Sequence, residues 1–139
     1  MKKLEDILSV ENIDITQTSP ITLAFLGDAV HTMLVRSWFL RQNMQKVNNL
    51  HTSSSKLCSA KGQAMALDSI SEILTEEEKN IVRRARNAKT HKPPKNCELE
   101  VYKKATSYEA LIGFLVIKKE YERLEELFLR FVTTIFIAK

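Results

Sequence analysis

Only three glycines and three prolines occur in 139 residues. A sheet protein of this length would need a turn every 8–12 residues or so, and such turns draw on those two residue types. Their scarcity points to an all-α chain built from long helices. Hydrophobic residues make up 44% and charged residues 27%, enough apolar surface for one ordinary core. A single domain over residues 1–139 is expected, with 1–18 as a lead-in and the core from about residue 19.

No run approaches the roughly 20 apolar residues of a membrane span. The opening "MKKLEDILSV" places Glu5 and Asp6 after its two lysines and has no long apolar centre. Neither a signal peptide nor a membrane partner is expected, and the location expected is cytoplasmic. Cys58 and Cys97 have neither zinc-site spacing nor a CxxC arrangement, so they read as free, partly buried thiols.

Five helical segments follow the lead-in. Ser19 as cap and Pro20 at the first helical position open the first, which runs to about Gln42 with Leu23, Leu26, Val30, Met33 and Leu34 along one stripe. A stripe this wide suggests a central, mostly buried helix. The second spans "VNNLHTSSSKLCSAKGQAMALDSI", with Asn48 as its candidate cap. Leu50, Leu57, Ala60, Ala64 and Leu67 keep its period, while His51, Ser55, Lys56, Ser59 and Gln63 form a polar, basic face. The third opens with a capping box, Thr75 and Glu78, and carries its acids first and its arginines last, as the helix dipole favours. A proline-broken loop leads to a fourth helix, capped by Asn96. The fifth aligns Leu124, Phe128, Phe131 and Ile135. Trp38, Phe39, Tyr121, Phe128, Phe131 and Phe136 read as core or subunit interface, and His31 as a core or supporting histidine.

Two acids interrupt apolar helical surface: Asp28 in "ITLAFLGDAV" and Glu109 in "YEALIGFL". Each lies close to a glycine, Gly27 and Gly113. Glycine inside a helix costs about 1 kcal/mol relative to alanine, so each needs a reason. A close crossing of two helices supplies it, and would bring Asp28 and Glu109 together. Two adjacent carboxylates repel unless one is protonated or a cation neutralises them. Mg²⁺, a hard ion with oxygen ligands, would do so. A mid-helix acid is equally what a hydrogen-bonded or edge-exposed residue looks like, so both readings stand at this level.

"LAFLGDAV" followed by "YEALIGFLV" resembles the two signature segments of the ribonuclease III endonuclease domain. Phe25, Leu26, Gly27 and Asp28 match the first; Glu109, Ala110, Leu111, Ile112 and Gly113 match the second. The two acids stand 81 residues apart, a spacing that suits the family's helical domain. Three family acids are replaced here by Ile21, Ala24 and Thr106. The last two sit one helical turn from a retained acid and so face the same place. With the chain ending at Lys139, no double-stranded-RNA-binding domain is seen. These features resemble the short branch called Mini-ribonuclease III, as do the segments "RNAK…PKN" (Arg86, Asn87, Ala88 and Lys89, then Pro94, Lys95 and Asn96) and "LH…SS…SAK" from Leu50 to Lys61.

The stretch "RRARNAKTHKPPK" holds Arg83, Arg84, Arg86, Lys89, Lys92 and Lys95 and no acid. Its +6 exceeds the net +4 of the whole chain. Such a helix end running into a basic loop can lay several cations along a phosphate backbone. Complementing the helix C-terminus explains Arg83 to Lys89 but not Lys92 and Lys95. His51, Ser55, Lys56, Ser59 and Lys61 suit contact with phosphates and 2′-hydroxyls of A-form RNA, or form a solvated face. His91 in the loop has no assigned role.

The resemblance implies a homodimer that cuts double-stranded RNA with Mg²⁺, leaving 5′-phosphates and staggered ends. Asp28 and Glu109 would be the catalytic, metal-holding pair, and Phe25 the dimer contact. The branch's role is maturation of the ends of the 23S ribosomal RNA precursor. With two acids per site, metal binding would be weak until RNA completes the shell. A non-catalytic RNA-binding scaffold in ribosome assembly and a helical protein adaptor remain as alternatives.

Overall fold

The computed structural model describes residues 3–11, 13–42, 47–89 and 92–137. Among them there are seven α-helices, one 3₁₀ turn and no strand, so the all-α expectation holds. In chain order they are α1 (Leu4–Ile7), α2 (Pro20–Arg41), α3 (Val47–Cys58), α4 (Ala60–Ile70), the 3₁₀ turn Ser71–Ile73, α5 (Glu76–Asn87), α6 (Leu99–Ile117) and α7 (Tyr121–Ile137). His91 lies outside the described residues, and so does the side chain of Asn48.

Several helices start where local chemistry dictates. The Ser19 hydroxyl accepts from the Ile21 N–H and Pro20 occupies the first turn of α2. At α5 the capping box is complete: the Thr75 Oγ1 accepts from the Glu78 N–H at 3.1 Å, and Glu78 Oε1 accepts from the Thr75 N–H at 2.9 Å.

Other expectations are corrected. The segment 47–70 is two helices, because Ser59 adopts an extended conformation (φ −68°, ψ 165°) and caps α4, its hydroxyl accepting from the Gly62 N–H. Glycine is needed at 62: a Cβ there would lie 2.6 Å from the Leu57 carbonyl oxygen. Asn96 does not cap α6. It sits in a turn at φ 72°, a left-handed conformation asparagine tolerates, and Glu98 occupies the N-cap without a side-chain cap. Met33 faces solvent rather than the core.

The central helix is α6, not α2. From Ala105 to Val116 every residue of α6 except Glu109 is buried, and α6 packs against α2, α4, α5 and α7. A helix apolar on all sides belongs in the middle of a bundle. By contrast, α2 buries Leu23, Ala24, Gly27, Val30, His31, Val35 and Phe39 and leaves Phe25 85% exposed. The expected α7 face is present, with Leu124, Phe128 and Phe131 buried and Ile135 partly so. Trp38 stacks on Phe136, ring centroids 4.7 Å apart. Both cysteines are free and half-buried.

One buried ion pair ties α5 to α7. Glu78, 2% exposed, accepts from Arg123 Nε at 2.9 Å and Nη2 at 2.8 Å, and the guanidinium also reaches the Ile73 carbonyl. Arg123 holds the Glu78 carboxyl below its usual pKa although burial opposes this.

Candidate active site

The two interior glycines meet where α2 crosses α6. A Cβ on Gly27 would land on the Glu109 carbonyl group, 2.6 Å from its carbon and 2.9 Å from the Gly113 nitrogen. A Cβ on Gly113 would lie 2.9 Å from the Leu23 carbonyl carbon and 3.2 Å from the Gly27 nitrogen. The helices thus touch backbone to backbone, an approach no side chain permits.

That contact sets Asp28 and Glu109 side by side. Asp28 is exposed at the surface of α2, whereas Glu109 is half-buried on α6. The two carboxyl groups are within hydrogen-bonding reach of each other. Burial pushes the Glu109 pKa up to about 8, and the hydrogen bond and charge of Asp28 push the same way. Near neutral pH the pair therefore shares a proton unless a cation takes its place.

Both carboxylates open into a cleft of about 510 Å³ lined by Ile21, Ala24, Phe25, Lys89, Tyr102 and Thr106 among others. The three positions at which family acids are replaced thus line the same cleft as the two retained acids. The Thr106 hydroxyl donates to the Tyr102 carbonyl. Among the described residues no group of three or more His, Cys, Asp or Glu is placed to hold a metal. Two carboxylates with open space beside them fit Mg²⁺, which keeps several waters and binds through one or two carboxylates plus phosphate oxygens.

On one continuous helix Gln63 would belong to the polar, basic face with His51 and Lys56. It is 3% exposed, and its Nε2 donates to Asp28 Oδ1 at 3.3 Å; the amide also lies near the Glu109 carboxyl and opposes the rise in its pKa. The break at Ser59 resets the helical phase and turns Gln63 inward. Its sequence signal was the cap-like "SAKG", which marks a new helix start.

Behind the acids lies His31, fully buried. The Leu57 carbonyl can only accept, so His31 Nε2 donates to it at 2.9 Å and Nδ1 accepts from the Tyr108 hydroxyl at 2.9 Å. Burial lowers the His31 pKa, favouring the neutral ring, and burial pushes the Tyr108 hydroxyl far above its usual range. This is the core histidine expected.

The basic positions divide. Lys89 lines the acidic cleft. Arg86 forms a bidentate pair with Glu100 at 2.7 and 2.8 Å, and Arg84 reaches the Thr18 carbonyl at 3.4 Å, so both tie the fold together. Arg83 bonds Asn80. Asn87, Lys92, Lys95 and Asn96 are exposed around the end of α5 and the following loop. On α3 and α4, His51, Ser55, Lys56, Ser59 and Lys61 are also exposed. Lys56, Ser59 and Lys61 line a second cavity of about 540 Å³ rather than the acidic cleft. The Ser59 hydroxyl is already engaged as the α4 cap and donates to the Lys56 carbonyl at 2.7 Å. No described helix is long and apolar enough to cross a membrane.

Comparison with known proteins agrees with this arrangement. Residues 21–120 match the ribonuclease III domain. A Mini-ribonuclease 3 from Thermoanaerobacter sp. is 45% identical over 109 residues, covering 78% of this chain and 77% of that protein. One from Staphylococcus aureus is 42% identical, covering 84% and 89%. A crystal structure of a Fusobacterium nucleatum protein superposes with a TM-score of 0.78 at 30% identity, over 91% of this chain and all of that one. The paired acids at a glycine crossing therefore sit in a chain that belongs to the ribonuclease III family, in its Mini-ribonuclease III branch, and that is an endoribonuclease.

Proposed function

We propose that this endoribonuclease hydrolyses double-stranded RNA with Mg²⁺ held by Asp28 and Glu109, as a homodimer, in maturing the ends of the 23S ribosomal RNA precursor. The observation that carries the reading is the pairing of two carboxyl groups from helices 81 residues apart in sequence, with Glu109 pushed up to about 8. When bound, the cation would supply an activated water and stabilise charge on the scissile phosphate. Gly27 and Gly113 keep the two acids at a fixed separation. Lys89, in the same cleft, offers a positive charge to a phosphate beside the acids. Arg83, Asn87, Lys92, Lys95 and Asn96 follow the flanking backbone, and so do the exposed groups of α3 and α4. Arg84 and Arg86 support this surface through their ties to Thr18 and Glu100. Phe25, almost wholly exposed beside the acids, is the apolar contact for a second subunit.

Purified protein is incubated with a long labelled RNA duplex and Mg²⁺, alongside Asp28→Asn and Glu109→Gln. Wild type should yield 5′-phosphate fragments, EDTA should stop the reaction, and both variants should bind without cutting. Equal cleavage by the variants would refute the assignment. Size-exclusion chromatography with light scattering tests the dimer, which Phe25→Ser should weaken, and the cut ends are then mapped on ribosomal precursor RNA.

A further inference from the structure

Gln63 comes from α4, a third helix, and its side chain is almost completely enclosed. Burying an amide is costly unless its donors find partners. Here one of them finds Asp28: Nε2 donates to its Oδ1 at 3.3 Å, and the same amide faces the neighbouring Glu109 carboxyl. A primary amide has two N–H donors on one nitrogen, so one group can hold two carboxylates at once. It does so without adding charge. A glutamate there would make a third carboxylate, and a lysine would occupy the place a cation needs.

We propose that Gln63 is a positioning residue of the two-acid site, holding Asp28 and Glu109 in converging orientations so that a divalent cation meets a prepared pair. This rests on the cation-binding reading given above. Ala24 and Thr106 bring no charge to the cleft, so the protein's grip on the cation depends on two carboxylates alone. A free carboxylate side chain rotates, and each ordering step would otherwise fall to the binding event itself. The amide takes over that ordering, and α4 is placed to deliver it because Ser59 restarts the helix four residues earlier. Partners that orient metal ligands without touching the metal change affinity or activity by about 10–100-fold when removed.

Wild type, Gln63→Leu, Gln63→Asn and Gln63→Glu are melted by circular dichroism in EDTA and across a MgCl₂ series, and the same series is run with a labelled RNA duplex. In Gln63→Leu the Mg²⁺ midpoints of both the melting shift and the cleavage rate should rise by about 10–100-fold. Gln63→Asn, with a shorter amide, should recover part of that loss. Gln63→Glu should melt lower than wild type in EDTA and show a lower Mg²⁺ midpoint, since a third carboxylate repels the pair and attracts the ion. If Gln63→Leu does not fold, the two polar variants decide. Midpoints unchanged in all folded variants would overturn the proposal and leave Gln63 as a filler of the core. A wild type that is stabilised by Mg²⁺ but does not cut the duplex would refute the function proposed above, while the melting midpoints still judge Gln63. A wild type that neither melts higher in Mg²⁺ nor cuts the duplex in its presence overturns both.

Discussion

Replacing Gly27 by alanine tests the helix crossing on which the site depends. The added methyl would sit 2.6 Å from the Glu109 carbonyl carbon and 2.9 Å from the Gly113 nitrogen, where ordinary contact begins at 3.4 Å. Both obstacles are backbone, so no side chain can swing aside. The Glu109 carbonyl oxygen lies closer still, so the helices must part by more than 0.8 Å, the gap between 2.6 and 3.4 Å. Overpacking of this kind costs about 1–3 kcal/mol, and the upper end applies because α2 and α6 share much of the core. Alanine's better helix propensity returns at most about 1 kcal/mol. A net loss of about 2 kcal/mol should lower the melting temperature by roughly 6–10 °C for a domain of this size. The same displacement acts on Asp28 and Glu109 directly, and a misplacement near 1 Å can cost on the order of 10²-fold in rate. Melting is followed by circular dichroism, and cleavage of an RNA duplex is measured well below the variant's melting point. Gly113→Ala should act alike, and the double variant should lose less than the two effects added, since one parting relieves both clashes. A Gly27→Ala protein that melts with wild type and cuts at the wild-type rate would refute the argument.

Without metal, Glu109 makes stability depend on pH. Its folded pKa, about 8, lies above the usual carboxylate value, so its own contribution to stability is greatest below about pH 4.5 and declines up to pH 8, by at most about 1.4 kcal/mol per unit. Glu109→Gln should abolish that slope in denaturant titrations in EDTA, and saturating Mg²⁺ should flatten it. His31 acts the opposite way: its folded pKa is lowered, so its contribution is complete above about pH 6.5 and fades as pH falls below that value. The Glu109→Gln protein, freed of the competing slope, should reveal this loss, which His31→Gln should remove. Arg123→Ala leaves the Glu78 carboxylate buried without its partner and should cost about 3 kcal/mol in urea unfolding, with Mg²⁺-dependent cleavage retained at low temperature.

What could be read from sequence was largely what is decided within a few residues or by a backbone necessity. Ser19–Pro20 and the Thr75–Glu78 box are local hydrogen-bond arrangements, and both formed as written. Gly27 and Gly113 have no use in a helix except close approach, which made their crossing and the meeting of Asp28 with Glu109 legible. The exposure of Asp28 and the partial burial of Glu109 were not legible, because a stripe of apolar residues does not say which of two crossing helices lies at the centre. Gln63 was misplaced for a sharper reason. Its face was counted by the period of a continuous helix, and Ser59 interrupts that count. The Glu78–Arg123 pair joins residues 45 apart, with no local pattern to announce it.

The corner between α3 and α4 has a consequence for how such a chain can vary. Each residue along an α-helix turns its side chain by about 100°. Deleting or inserting one residue between Ser59 and Gln63 would rotate the glutamine away from both acids while leaving the composition of the segment almost unchanged. Length, more than side-chain identity, is therefore what this hinge of three residues must preserve, and Gly62, pressed against the Leu57 carbonyl, is the stop that fixes it.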